Sequence, residues 1–239
     1  MQPGQATLRA VPMFERLDKA VLAELDAIAD LRDVPQGQEL CRQGAMPTAL
    51  HVLLDGQVAL SGTAPDGTSA VVEVVRPIGH FVLAAALTDL PYLMTGHSVM
   101  PSRLLLIEAV ALRELVAREA ALARAMLRAQ ALDYRVMVRQ VRDLKLRSAA
   151  QRLGCYLLAL ATDPLASTAE FRLPFDKGLL AARLGCRQEN LSRAFAALRA
   201  VGVETHGARI VLHDMARLKA FSMPDELADP PLLTEDAAG

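Results

Sequence analysis

The segment from Cys186 to Arg193, written CRQENLSR, places a thiol, a carboxylate, two amides, a hydroxyl and two guanidinium groups within about two helical turns. A guanidinium group can donate two hydrogen bonds to guanine O6 and N7, and a carboxylate can accept one from cytosine N4. The same residue types also occur on solvated helix faces, where Glu189 and Arg193 would form an i to i+4 salt bridge. The two interpretations are compatible in the free protein, and the first predicts that this segment reads DNA bases.

The apolar residues around this segment predict a helix-turn-helix. Leu191, Phe195 and Leu198 are spaced by four and three, so they would share the buried face of a second helix over residues 187–201. A first helix is predicted over residues 177–184, and Gly185 suits the turn because glycine adopts a positive φ at little cost. The N-terminal half of such a second helix reaches base edges in the major groove. The predicted DNA-facing residues are Arg187, Gln188, Glu189, Ser192 and Arg193, with Arg209 of a following hairpin on the phosphates.

The formal net charge of −1 conceals a basic region. Residues 145–221 contain 12 Lys and Arg against 6 Asp and Glu, whereas residues 1–100 contain 6 against 11. Lysine and arginine supply the sequence-independent part of DNA affinity, so the basic region predicts a domain that faces phosphates. Chance clustering of charges on solvated helices is the alternative.

Different patterns precede the basic region. Residues 14–31 place apolar side chains three or four apart, which predicts one amphipathic helix. Residues 33–107 are short apolar segments separated by glycines, with a turn signature at Asp66-Gly67, and predict an antiparallel barrel or roll. Residues 109–146 lack Gly and Pro and predict a long helix. Its apolar seam, spaced as in a coiled coil, comprises Leu122, Ala125, Ala129, Leu132, Val136, Met137, Val141 and Leu144. A parallel homodimer is the preferred partner of this seam, and packing on the chain's own barrel is the alternative.

The remaining composition excludes several classes of protein. Three widely separated cysteines argue against a disulfide framework and for a reducing cytosol. The N-terminus has no apolar signal core and the apolar runs are interrupted before membrane length, so we expect a cytoplasmic protein without a membrane partner. No Ser-His-Asp order, metal-ligand cluster, phosphate-binding loop or paired-carboxylate motif stands out, and we therefore expect no enzyme.

Several motifs along the chain match one known family. In the N-terminal half these are Pro35-x-Gly37, Gly44, Asp55-Gly56-x-Val58, Asp66-Gly67 and Gly79-x-Phe81, and the C-terminal match is Glu189-x-x-Ser192-Arg193. From about residue 14 to 221 the chain resembles the Crp/Fnr transcription regulators. The resemblance implies an α+β fold: a cyclic-nucleotide-binding-like β-roll sensor domain (1–108), a dimerisation helix (109–146), a winged helix-turn-helix (147–222) and an acidic tail (223–239). It also implies a homodimer that binds double-stranded DNA and contacts RNA polymerase.

The form of the recognition helix resembles the Fnr branch of this family, which implies a palindrome close to TTGAT-N4-ATCAA. When the family's roles are carried over residue by residue, Arg193 would bind a guanine. Glu189 would accept a hydrogen bond from the cytosine paired with that guanine. Ser192 would touch the neighbouring thymine, while Arg187 and Gln188 would contact phosphates or flanking bases.

The ligand-binding motifs of the family can be compared with this sequence to infer which signal the β-roll receives. Cyclic-nucleotide binders of the family use a Gly-Glu pair for the ribose and an Arg-Ser pair for the phosphate. Here no Glu follows Phe81 in the matching segment, and no Arg lies between Arg76 and Arg103, so cyclic AMP is disfavoured because its phosphate would be buried uncompensated. An iron–sulfur cluster is not expected either, since three cysteines, none before Cys41, cannot supply four thiolates.

An apolar sensor pocket remains as the expectation. Its candidate lining residues are Val82, Leu83, Leu87, Leu90, Leu93, Met94, Val99 and Met100. This segment resembles the Dnr/NnrR branch, nitric-oxide-responsive regulators of denitrification that are associated with haem. His80 and His97 are the candidate haem ligands, and ordinary surface positions are the alternative for both. A redox-controlled, constitutively active or cyclic-nucleotide-responsive regulator is the alternative function.

Cys186 is a second candidate for signal reception. It lies at or just before the start of the predicted recognition helix, where the positive helix end is expected to lower the thiol pKa. Oxidation there would add bulk or negative charge opposite the phosphates and weaken DNA binding. An inert turn cysteine is the alternative.

Overall fold

The computed structural model describes residues 4–161, 163, 166–173 and 177–225. The chain divides into two compact units, Met1–Arg135 and Val136–Gly239, and the division falls within the longest helix. The predicted tail over 223–239 lies outside the described residues from 226 onward. None of the helices in the described part is long and apolar enough to cross a membrane.

The described residues of the first unit form five helices and eight strands. Helices α1 (Gly4–Arg9) and α2 (Lys19–Ala27) precede strands β1 (Ala29–Val34), β2 (Glu39–Cys41), β3 (Ala49–Asp55), β4 (Val58–Thr63), β5 (Ser69–Val75) and β6 (Gly79–Phe81). Helix α3 (Leu83–Thr88), strands β7 (Thr95–Ser98) and β8 (Ser102–Glu108) and helices α4 (Ala109–Arg118) and α5 (Ala120–Leu146) follow. The strands form two antiparallel sheets, in the orders β1-β8-β3-β6 and β2-β7-β4-β5. The predicted β-roll is therefore confirmed.

Two predicted helices differ from the observed ones. The single helix expected over 14–31 is wrong, because α2 starts only after Asp18 and Leu31 belongs to strand β1. Phe14 and Leu17 are nevertheless buried. The apolar spacing of three and four therefore runs through a turn, a helix and a strand, not through one helix. The helix expected over 109–146 is broken at Glu119, whose extended backbone separates α4 from α5.

The apolar seam of α5 has two different environments. Leu122 and Ala129 are buried in the core of the first unit, together with Met126. The prediction that a second chain packs on this seam is thus wrong for these positions, because they pack on the chain's own β-roll. A different side of α5 carries an exposed stripe of apolar side chains, which share one helix face because they are spaced three, four and seven apart. We call it the α5 stripe, and it comprises Leu127, Tyr134, Met137, Val138 and Val141. Leu132 and Val136, also exposed, lie on the opposite side of the helix.

The described residues of the second unit form a small helical domain with one three-stranded sheet. After the end of α5 come α6 (Ala149–Leu160), β9 (Ala169–Arg172), α7 (Lys177–Arg183), α8 (Gln188–Arg199), β10 (Val203–His206), β11 (Arg209–Leu212) and α9 (Met215–Ser222). Ser148 caps α6 in a capping box with Gln151. Gly154 lets α6 and α9 approach closely, since a Cβ at this position would overlap the Ser222 side chain. The sheet order is β10-β11-β9, which is the wing expected after a helix-turn-helix.

A buried histidine makes the stability of the first unit depend on pH. His51 on β3 is only 4% exposed, and its ring lies 5.0 Å from that of Phe81. Burial disfavours the charged imidazolium and lowers the pKa of His51 from 6.5 to about 4. As the pH falls below 6.5, the unfolded chain therefore binds a proton that the folded chain does not.

We expect the free energy of unfolding of this unit to fall by about 2 kcal/mol between pH 7 and pH 5, and by about 3 kcal/mol at pH 4, because of His51. Urea unfolding of the protein and of His51→Phe at several pH values measures the difference. The variant should lose this part of the pH dependence. Identical pH slopes for the two proteins would show that His51 does not titrate in this way.

Candidate nucleic-acid interface

Helices α7 and α8 are joined by a tight turn at Gly185. The φ of Gly185 is +60°, a conformation in which glycine has no steric cost. Backbone hydrogen bonds from Gly185 N to Ala182 O (2.9 Å) and from Cys186 N to Ala181 O (3.0 Å) close the end of α7. Arg187 is extended, and α8 begins at Gln188. The chain therefore folds here as the predicted helix-turn-helix.

The two faces of α8 separate apolar from polar residues. Leu191, Phe195 and Leu198 are buried, with Ala194 between them. All five side chains predicted to face DNA are exposed: Arg187, Gln188, Glu189, Ser192 and Arg193. The structure thus gathers this predicted set on the solvent face of the first two turns of α8.

The hydrogen-bonding state of these side chains differs. Ser192 Oγ donates to Gln188 O within the helix at 3.1 Å. No ion pair joins Glu189 to Arg193 among the residues that the structure describes. The carboxylate and the guanidinium therefore extend separately into solvent, as two groups available to a ligand.

Arg209 on the wing has a partner in the protein. Its Nε and Nη2 atoms donate to the two carboxylate oxygens of Glu170 on β9, at 2.6 and 2.8 Å. The Arg209 guanidinium holds the pKa of the Glu170 carboxyl below its usual value. Exposed ion pairs contribute little stability, so exchange of this carboxylate for a DNA phosphate is not costly.

The expected lowering of the Cys186 pKa is wrong. Cys186 is partly buried, and this burial raises its thiol pKa, while the attraction of Arg152 lowers it by a smaller amount. The residue lies two positions before α8, outside the helical turn whose amides would stabilise a thiolate. A raised pKa leaves the thiol less reactive, and the redox role of Cys186 stays a prediction.

The candidate sensor residues occupy three environments. Val82 and Met94 pack against a core that includes Phe81, while Leu83 and Leu87 belong to the larger core beside the helices. Leu93 is 84% exposed, and Met100 and Leu90 are also exposed. The structure therefore does not bring this predicted set together around one cavity.

The two candidate haem ligands are also separated. His80 lies on β6 and its Nε2 is 2.9 Å from Asp133 Oδ2 on α5. His97 lies on β7, in the other sheet, with its Nε2 3.8 Å from Glu39 Oε2. Each imidazole thus faces a carboxylate of its own.

One polar cluster on the wing was not predicted from the sequence. Glu204 on β10 binds His206 at 2.9 Å and His213 at 2.8 Å. The i, i+2 spacing of Glu204 and His206 places both on one face of a strand and was visible in the sequence. The position of His213 depends on the register of the hairpin, which the sequence did not specify.

A β-roll, a long helix and a winged helix-turn-helix with an exposed polar recognition helix define a DNA-binding regulator. Two family models match the corresponding parts: a cyclic nucleotide-binding domain over residues 31–119 and a Crp-like helix-turn-helix domain over residues 151–221. The chain belongs to the Crp/Fnr family. Members of this family are transcription regulators rather than enzymes, bind DNA and generally act as dimers.

Solved structures with related sequences cover nearly the whole chain. A candidate cyclic nucleotide binding protein from Ruegeria pomeroyi DSS-3 is 31% identical over 92% of this chain and 97% of its own, with a TM-score of 0.59. A candidate cAMP-binding regulatory protein from Silicibacter pomeroyi DSS-3 is 30% identical over 94% and 100%, with a TM-score of 0.59. DNR from Pseudomonas aeruginosa is 28% identical over 92% and 99%, with a TM-score of 0.50. No curated protein matches the chain.

Proposed function

We propose that the protein is a homodimeric transcription regulator that reads a TTG-containing palindrome of the TTGAT-N4-ATCAA type with α8. The observation that supports this most directly is the row of exposed polar side chains on the first two turns of α8, above its buried apolar face. This arrangement presents hydrogen-bonding groups at the helix end that enters the major groove.

Each base contact follows from the chemistry of one side chain. The Arg193 guanidinium donates two hydrogen bonds to guanine O6 and N7 of the TTG element. The Glu189 carboxylate accepts a hydrogen bond from N4 of the cytosine paired with that guanine. Ser192 exchanges its bond to Gln188 O for a contact near the adjacent thymine. Arg187 and Gln188 lie closest to the helix start and contact phosphates or flanking bases.

Dimerisation rests on the α5 stripe. Five apolar side chains at helical spacing are exposed along it, which is unfavourable for an isolated helix in water. Pairing with the same stripe of a second chain would bury them in a symmetric interface. The dimer then presents two copies of α8 to half-sites one DNA turn apart.

Regulation is proposed as a population shift. A signal at the β-roll would bias the dimer helices between two arrangements, only one of which matches the half-site spacing. Because α5 contributes Leu122, Met126 and Ala129 to the core of the β-roll, a change in that core alters the helix directly. RNA polymerase is the proposed protein partner of the DNA-bound dimer.

The signal that the β-roll receives is inferred from the resemblance and from the residues present. Similarity to DNR favours the nitric-oxide-responsive branch. The described residues do not fit a haem, however, since His80 and His97 lie in different sheets beside separate carboxylates and the apolar candidates are dispersed. Haem stays a prediction from the resemblance. Cyclic AMP and an iron–sulfur cluster remain disfavoured on the sequence arguments.

The test is the affinity of the protein for a labelled TTGAT-N4-ATCAA duplex, measured by fluorescence anisotropy near 0.15 M salt. We expect the palindrome to bind at least about a thousandfold more tightly than a scrambled duplex of the same composition. A duplex with five extra base pairs between the half-sites is the control, because it turns one half-site to the opposite side of the DNA. Equal affinity for the palindrome and the scrambled duplex would refute the proposal.

A further inference from the structure

One arginine joins the end of α5 to the helix-turn-helix. Arg152 lies near the start of α6 and is partly buried. Its Nε donates to Leu184 O, just past the end of α7, at 2.9 Å, and its Nη1 donates to Arg147 O, just past the end of α5, at 2.7 Å. Carbonyls at the end of a helix lack a partner within that helix, and a charged donor satisfies them well. A single side chain on α6 therefore connects α5 with α7.

The turn between α7 and α8 also contacts α5 directly. A Cβ at Gly185 would lie 2.6 Å from Leu144 Cδ2, so the leucine side chain covers this turn. The end of α5 is itself held by Arg147, whose Nη1 donates to Asp143 Oδ1 at 2.8 Å and whose Nη2 donates to Met223 O at 3.0 Å. Packing and hydrogen bonds thus place the turn before the recognition helix against the last turn of α5.

This junction and part of the α5 stripe belong to the same compact unit. Met137, Val138 and Val141 of the stripe lie in the unit that contains the helix-turn-helix. Val141 precedes Leu144 by three residues, which is about 5 Å along the axis of an α-helix. The attachment of the helix-turn-helix to α5 therefore determines where α8 lies relative to these stripe residues.

The chemistry of a guanidinium group suits this attachment. Its donors form a planar fork of fixed geometry, so bonds to two carbonyls fix both the distance and the angle between the helices that carry them. The ammonium group of a lysine is a compact charge on a flexible stem and imposes no such angle. Arg152 is thus a positioning residue, which acts on DNA only through α7 and α8.

We infer that Arg152 determines which spacing between half-sites the dimer accepts. One added base pair moves a half-site by about 3.4 Å and rotates it by about 34°. Two rigidly attached copies of α8 can therefore read both half-sites at one spacing only. Without Arg152 each helix-turn-helix pivots on α5, and several spacings bind. The inference rests on the proposed homodimer and its palindrome, and it assigns the spacing specificity to a residue outside the DNA interface.

The experiment measures the affinity of the full chain for palindromes with three, four or five base pairs between the half-sites. We expect the parent to lose at least about a hundredfold when the spacer changes by one base pair, because one half-site is then misread. Arg152→Gln should still prefer the palindrome to the scrambled duplex but should lose no more than about tenfold between spacers. Arg152→Lys should lie between the two, since it keeps the charge without the fork.

Leu157→Val separates positioning from stability. Leu157 is fully buried on the same helix, so its substitution lowers the stability of the domain without removing either hydrogen bond of Arg152. This variant should keep the parent's dependence on spacer length. Thermal melting followed by circular dichroism compares its Tm with that of Arg152→Gln and checks that both proteins are folded.

A distance measurement follows the junction without DNA. Spin labels on cysteines introduced at Gln140 of α5 and Arg199 of α8, both exposed, report the separation of the two helices by double electron–electron resonance in a Cys186→Ser chain. Mixing with excess unlabelled protein leaves most dimers with one labelled chain. We expect one narrow distance distribution in the parent and a wider one in Arg152→Gln.

The inference is overturned if Arg152→Gln keeps either the parent's spacer dependence or the parent's distance distribution. A parent protein that does not distinguish the palindrome from the scrambled duplex is a different result, which refutes the proposed sequence recognition. The distance measurement still decides in that case whether Arg152 fixes α8 relative to α5, so the two failures are distinguishable.

Discussion

Replacing Val138 and Val141 with aspartate is expected to convert the protein to a monomer and to weaken binding to the palindrome by at least about a thousandfold. Both valines are 46% exposed and three residues apart on the α5 stripe. In a dimer the two substitutions would bury four carboxylates without partners, at a cost that exceeds what the apolar contacts supply. A monomer binds a single half-site and loses the gain in affinity from linking two.

Sedimentation equilibrium and anisotropy measure the two parts of this prediction. Val72→Asp and Val110→Asp form the matched control, because these valines are 53% and 52% exposed on β5 and α4 and do not belong to the α5 stripe. The control should remain dimeric and bind the palindrome as the parent protein does. A V138D/V141D protein that stays dimeric would show that the interface lies elsewhere.

Arg193→Ala is expected to remove most of the preference for TTG half-sites while leaving the fold unchanged. The side chain is exposed on α8, so its truncation opens no cavity. A bidentate arginine–guanine contact contributes about 1–3 kcal/mol of discrimination, and the dimer makes it twice. The ratio of affinities for the palindrome and the scrambled duplex should therefore fall by about a hundredfold or more.

The control for this prediction is Arg199→Ala. Arg199 is an exposed arginine in the last turn of the same helix, away from the end that approaches the bases. Its removal takes away the same charge, so affinity for both duplexes should fall together and their ratio should remain. If Arg193→Ala keeps the parent's ratio, Arg193 does not read the guanine.

Much of the architecture was predictable because local signals agreed with the tertiary structure. The glycine-separated apolar segments form the strands of the roll, and the spacing of Leu191, Phe195 and Leu198 matches the buried face of α8. The break at Glu119 was not predictable, since neither glycine nor proline marks it. Residues 14–31 were misassigned because a helical period continued by chance through a turn and a strand.

By itself, the sequence determined the order of the domains, the placement of the helix-turn-helix and the exposed set from Arg187 to Arg193. These depend on periodicities of a few residues, which the backbone geometry of helices and strands imposes locally. Only the tertiary structure decided that Leu122 and Ala129 pack on the β-roll while the α5 stripe stays exposed. It alone raised the Cys186 pKa by burial and placed His206 and His213 on one carboxylate. Burial and cross-strand register join residues that are distant in the chain, and no local period encodes them.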